Sequence, residues 1–211
     1  MSQTTTRRNF LGTAATTLAW AGAQTYAAGA NGAESPNDTI NIGVVGCGAR
    51  SRQVLNKFKA LPKNSVVSVC DVNWKQANHV KDHYGGGKVP MHGDFRKLLE
   101  QKDVDVILCG TQAHWHVIIT IAACQAGAHV YVEKPVSHTI REGRAMVSAA
   151  RDADRVVQVG THRRVSPHNM WGIDFIRQGK LGKVGMIRAF VHSGGGPGKP
   201  VPDEEPPKEL D

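Results

Sequence analysis

Ile40-Asn41-Ile42-Gly43-Val44-Val45-Gly46-Cys47-Gly48-Ala49-Arg50-Ser51 sets the reading of this chain. A short apolar run breaks into glycine, and apolar residues then recur at Val54, Leu55, Phe58 and Leu61. The run reads as a buried parallel strand. The spacing behind it predicts a helix over 52–61. Gly46 permits a tight turn between the two. Gly48 removes a side chain, so backbone N–H groups can approach a pyrophosphate at the helix N-terminus. Where such turns carry a third glycine to pack helix on strand, this chain has Ser51. A glycine turn alone is weak evidence, but Asp71 lies twenty residues after Ser51, at the end of the β-branched run 65–70. A carboxylate there can hydrogen-bond the ribose hydroxyls of an adenosine. The competing reading of Asp71 is a helix N-cap ahead of Asn73 and Trp74. Strand, glycine turn, helix, strand and acid arrive in the order a dinucleotide-binding fold needs. A carboxylate repels a 2′-phosphate and so favours NAD over NADP, while the nearby Lys75 would suit NADP.

Outward from this unit the alternation continues. Helix is expected over 74–84, stopped by Gly85-Gly86-Gly87, then a short edge strand over 88–91. Asp94 reads as an N-cap for a helix over 95–101, and strand 104–109 follows. A helix over 113–126 is capped by Gly127, strand follows at 128–132, helix at 140–153 and strand at 156–159. These predict an α/β fold of the Rossmann type, a doubly wound parallel sheet over 40–159. Then come one helix, 169–178, ending at Gly179, and one apolar strand, 183–191. A single strand leaves both edges unpaired, and the Pro-rich, charged end supplies no partner strands. Residues 160–211 are therefore expected to be incomplete, and the chain a truncation. A short protein whose strand pairs across a dimer is the alternative.

Composition excludes other classes. With 211 residues, 40% hydrophobic and 21% charged, the chain reads as globular. The formal charge of +8 is not a nucleic-acid signature: it includes Arg7 and Arg8, and the rest is scattered without like-charge runs. Cys47, Cys70, Cys109 and Cys124 lack Cys-x-x-Cys spacing and read as small buried hydrophobes. No metal is expected. Arg7-Arg8-Asn9-Phe10-Leu11 precedes a weakly apolar stretch over 12–23, and Ala28-Gly29-Ala30 offers a cleavage site. This is read as a twin-arginine export signal over 1–30 with a flexible lead-in over 31–39. An ordinary secretion signal or a lipid-associated tail is the alternative. The apolar stretch is short for a bilayer, so no integral membrane segment is expected in the mature chain. Exported folded to the periplasm, the protein would carry its nucleotide with it.

Three further segments carry a resemblance: Thr111-Gln112-Ala113-His114-Trp115-His116, Glu133-Lys134-Pro135 and Gly160-Thr161-His162-Arg163-Arg164. With the glycine turn they make residues 40–192 resemble the Gfo/Idh/MocA family, which includes glucose-fructose oxidoreductase and inositol dehydrogenase. The resemblance implies that 160–211 is the incomplete start of a second, α+β domain, and it implies a tightly bound nicotinamide cofactor and hydride transfer to or from a sugar or polyol. It implies that Lys134 is catalytic, moving the proton of the substrate hydroxyl. Hydride leaves a carbon more readily when that proton is taken with it, and a lysine can take it where its neutral form is favoured. Glu133 is implied to position the cofactor, with Thr111 and His116 on its nicotinamide side and Gln112 and His114 among its contacts. Gly46, Cys47, Gly48, Ala49, Arg50, Ser51 and Asp71 complete the expected cofactor contacts, and His162 and Arg163 are expected near substrate. Gln112 stands where the family usually has proline, leaving the shape of that turn open.

Read without the resemblance, Lys134 is a surface lysine at a turn fixed by Pro135. His114 and His116, two apart, point to different helix faces and make a poor metal pair. His79, His83, His92 and His129 read as solvated or structural, and Trp115 and Trp171 as packing. Two rival functions remain. One is the related glycosidase branch, which uses bound NAD for net hydrolysis but tends to carry Glu-Val-Pro where Lys134 stands here. The other is a non-catalytic nucleotide-binding fragment. A homo-oligomer is expected for the full-length protein.

Overall fold

Six of the seven runs expected as strands pair in one parallel sheet. The computed structural model describes residues 39–190 and 205–210; the expected export signal and nearly all of the lead-in lie outside them. The strands are β1 (Ile40–Val45), β2 (Asn64–Cys70), β3 (Met91–His92), β4 (Val106–Cys109), β5 (His129–Glu133) and β6 (Val157–Gly160). Between and after them lie α1 (Ala49–Phe58), α2 (Trp74–Tyr84), α3 (Phe95–Leu99), α4 (Ala113–Gln125), α5 (Ile140–Asp152) and α6 (Pro167–Arg177). Strand order is β3-β2-β1-β4-β5-β6. The chain runs outward from β1 to one edge, returns to β4 beside β1, and runs out to the other edge. The crevice beyond the carboxyl ends of β1 and β4 is thus the switch point where α/β sheets bind ligands.

Alternation along the strands builds a core on each face. Ile42, Val44 and Leu108 pack with Val54 and Leu55 of α1 and Ala77 and Val80 of α2. Val45, Ile107 and Cys109 face the other way, onto Leu98 of α3, Val117, Ile119 and Ala123 of α4, and Met146 of α5. In β2 the alternation slips. Ile42 pairs with Val66 but Gly43 with Ser68, so Val67 is an extra residue. Val66 and Val69 consequently share one face although three positions apart.

Local chemistry explains the element ends. Asn73 caps α2, accepting from the N–H groups of Lys75 and Gln76 at 3.1 and 3.2 Å. Asp94 caps α3 as expected, and Thr139 and Glu142 form a capping box on α5. Helix α1 starts three residues before the expected 52, because Gly48 is extended and serves as the N-cap. The apolar spacing marked its buried face, not its start. Edge strand β3 is Met91–His92 rather than 88–91. Its pairing begins where Val69 N–H donates to the Pro90 carbonyl and passes to His92 O, which accepts from Asp71 N–H.

The seventh run is a correction. Residues 183–190 form no strand, and Met186, Ile187 and Phe190 are exposed. Apolar, β-branched residues make a strand only against a partner, and no described residue pairs with them. Helix α6 buries no residue; Trp171, expected as packing, is 69% exposed and only tilts against Phe175. The described part of the Pro-rich end supplies no partner strand, but it touches the start of α2: Trp74 N–H donates to Glu209 O at 2.9 Å, and Asn73 and Leu210 form an isolated antiparallel bridge. No helix among the described residues is long and apolar enough to cross a membrane.

Candidate active site

The turn after β1 is shaped by what lies across the crevice. Gly46 has φ +83°, and a Cβ on it would lie 2.7 Å from the Thr111 nitrogen and 2.8 Å from the Gly110 carbonyl carbon. Only glycine meets both demands. Gly48 differs: a Cβ there would meet nothing within 4 Å. The N-terminus of α1 has no side-chain cap and no acidic residue in its first turn. Unpaired N–H groups and the positive end of the helix dipole therefore face open space, which suits a pyrophosphate. Ser51 is fully buried, and its hydroxyl donates to the Gly46 carbonyl. It fits because Gly110 lies opposite; a Cβ on Gly110 would run into the Ser51 hydroxyl.

Asp71 is half-buried and holds this turn from β2. One carboxylate oxygen accepts from Cys47 N–H at 2.6 Å, the other from Asn73 N–H at 2.8 Å. Since Asn73 itself caps α2, the capping reading of Asp71 is corrected. Each oxygen keeps a lone pair for a ribose hydroxyl. The Cys47 side chain is fully buried, 3.7 Å from the Cys70 carbonyl, so only its backbone faces a ligand. Burial, reinforced by the Asp71 charge, pushes the Cys47 thiol far up, and the same two causes push Cys70 up to about 12. All four cysteines are buried and free, as expected.

Across the crevice, Gln112 is the N-cap of α4 with φ −68°. A proline ring would impose nearly that angle, so the turn keeps the proline-like shape the sequence left open. Thr111 is half-buried, its hydroxyl donating to Gln112 O at 3.3 Å, while the side chains of Gln112 and His114 are exposed. His116 was expected beside the nicotinamide, but its side chain is only 1% exposed. Its Nδ1 lies 2.7 Å from the Pro135 carbonyl and its Nε2 3.1 Å from the Thr111 carbonyl, leaving no nitrogen for a ligand.

Glu133, at the end of β5, is buried, and the Arg50 Nε is 2.8 Å from its Oε1. That N–H points off the line of a hydrogen bond, so the contact is one of charge. The other Arg50 nitrogens donate to Gln53 Oε1 and to His162 Nδ1, each at 3.0 Å. Arginine only donates, so the His162 Nδ1 accepts. Glu133 also accepts from Lys134 N–H at 3.2 Å and from the Tyr131 hydroxyl at 3.5 Å. Burial, then the Glu133 charge, raises the Tyr131 phenol above its ordinary range. Sequence reasoning did not single out Tyr131, although it lies two residues before Glu133 and hence on the same face of the strand. Lys134 and Arg163 are exposed, and the Lys134–Pro135 peptide is cis. The residues expected around a dinucleotide thus lie at the carboxyl ends of β1, β2, β4 and β5, and those expected near substrate after β6.

Residues 40–161 match an oxidoreductase family with an NAD-binding Rossmann fold, Gfo/Idh/MocA. A glycosyl hydrolase family 109 protein of Solibacter usitatus (strain Ellin6076) is 27% identical over 158 residues, covering 71% of this chain and 36% of that protein. Levoglucosan dehydrogenase of Pseudarthrobacter phenanthrenivorans is 33% identical over 95 residues, 45% of this chain and 24% of that enzyme. The chain thus spans about a third or less of these relatives' length. Among solved structures, the WlbA dehydrogenase from Bordetella pertussis, in complex with NADH and UDP-GlcNAcA, superposes with a TM-score of 0.63 at 26% identity. That match covers 68% of this chain and 43% of the enzyme. The chain belongs to the Gfo/Idh/MocA oxidoreductase family, and its six-stranded sheet is that family's NAD-binding Rossmann domain.

Proposed function

We propose that this chain carries the nucleotide-binding part of an exported enzyme that moves hydride between a tightly held nicotinamide cofactor and a sugar or polyol. The observation that carries the reading is the placement of Lys134. It is exposed at the carboxyl end of β5, on the sheet edge that also holds the glycine turn, with its backbone N–H tied to buried Glu133. When bound, the nicotinamide supplies the hydride acceptor or donor. The first-turn N–H groups of α1 hold the pyrophosphate, Asp71 the adenosine ribose, and Lys134 takes the substrate hydroxyl proton. Asp71 favours NAD, and the Arg7-Arg8-Asn9-Phe10-Leu11 head favours the twin-arginine route.

Spectroscopy of the reduced nicotinamide, with a panel of sugars and polyols, tests this. Lys134→Met should lower turnover about 100-fold or more while leaving the nucleotide bound. Turnover surviving within a few-fold would move the proton-transfer role elsewhere. The family 109 relative favours a second reading, net glycoside hydrolysis. Release of the aryl group from an aryl glycoside without added cofactor, and no redox turnover with free sugars, would establish it instead.

A further inference from the structure

Two loops carry the residues read as flanking the nicotinamide and the substrate: Thr111-Gln112 after β4 and Lys134-Pro135 after β5. One side chain joins them. His116, in the first turn of α4, meets the Pro135 carbonyl with Nδ1 at 2.7 Å and the Thr111 carbonyl with Nε2 at 3.1 Å, at 1% exposure. Both partners are carbonyl oxygens, which only accept. A ring N–H donates where it meets such an oxygen. Shielded from water, the ring sits wedged between the two loops.

We propose that His116 is the positioning residue for Lys134: a buried imidazole that holds the Lys134-Pro135 turn against the Thr111 loop. The two ties fix the turn from behind the crevice, so the ring acts through Lys134 without touching cofactor or substrate. No other side chain reproduces the geometry. Glutamine and asparagine carry both donors on one nitrogen and lack the rigid span of the ring, and lysine offers a flexible point charge. Displacement of a reacting group by about 1 Å can cost as much as 100-fold in rate. The loss should therefore fall on the chemical step and not on binding. The role of Lys134 rests on the function proposed above; the tie between the two loops does not.

The test has two arms. In the ¹⁵N-labelled protein, nitrogen–proton correlation of the histidine rings, assigned through the side-chain carbons, should give His116 a slowly exchanging ring N–H signal. A His116 ring N–H that exchanges as fast as those of the exposed histidines would overturn the tie, and this arm requires no variant to fold. In the whole protein, His116→Gln should lower kcat by about tenfold or more, with substrate KM and nucleotide affinity within about threefold. A lowered melting temperature with kcat unchanged would make His116 merely structural and overturn the positioning role. If Lys134→Met itself retains turnover, the functional reading fails, while the ring N–H exchange rate still decides the tie.

Discussion

Replacing Arg50 by methionine should destabilise the domain mainly by stranding Glu133. The carboxylate side chain is 4% exposed and the arginine 33%, with 2.8 Å between Nε and Oε1. Without the guanidinium, Glu133 keeps, among the described residues, the Lys134 N–H at 3.2 Å and the Tyr131 hydroxyl at 3.5 Å, both long for a buried charge. Removing one partner of a buried pair costs about 3–5 kcal/mol. Water reaches a third of Arg50, which screens the pair and brings the expected loss to about 2–3 kcal/mol. For a domain of this size that is a fall of about 4–12 °C in Tm. Glu133→Gln in the same background removes the stranded charge and should recover about half of the loss or more. Urea denaturation of the two single variants and the double variant closes a double-mutant cycle. A loss below about 1 kcal/mol for Arg50→Met, or a coupling below about 0.5 kcal/mol, would refute the claim that this pair holds the carboxyl edge together.

Asp71→Ala removes the acceptor of the Cys47 N–H and the proposed ribose contact, so NAD affinity should fall by about 1.5–3 kcal/mol and its advantage over NADP should narrow. Equal calorimetric affinities before and after would exclude the ribose contact. Burial pushes the Cys109 thiol up to about 11 from an ordinary 9.0, so it stays neutral in the folded protein where the unfolded thiol would ionise. Its contribution to stability is then complete below pH 9.0 and is lost as pH climbs toward about 11. Native protein at pH 9 should leave Cys109 unalkylated by iodoacetamide in a mass spectrum, and modification there without unfolding would contradict its burial. Arg7→Lys with Arg8→Lys should leave precursor in the cytoplasm; normal periplasmic accumulation would remove the twin-arginine assignment.

The parts of the fold that were legible in the sequence are those marked by local chemistry. Helix α2 matches residue for residue because Asn73 opens it and Gly85-Gly86-Gly87 close it. The glycine turn and Asp71 were legible because strand, turn and acid follow one another along the chain. Arg50, Glu133 and His162 were named separately, but nothing in the sequence says that they meet. They are 83 and 29 residues apart along the chain, and topology alone brings them to one edge. His116 shows a different gap: its segment was recognisable, yet the direction of its ring depends on which carbonyls a later loop presents. The run 183–190 reads as a strand because propensity describes what a residue tolerates, whereas pairing depends on a neighbour the sequence pattern does not contain.

Ser51 and Gly110 have a consequence for how such turns change over time. The two positions share one volume, so the demand for smallness belongs to the pair and can sit on either side of the crevice. With Ser51→Gly in place, the nearest remaining atom to a Cβ on residue 110 is the Gly46 carbonyl oxygen at 3.6 Å, an ordinary contact. Gly110→Ala should therefore be tolerated after Ser51→Gly and rejected before it. The route between the two forms of the turn is open in one order only, and a lineage that has serine at 51 cannot lose Gly110 first.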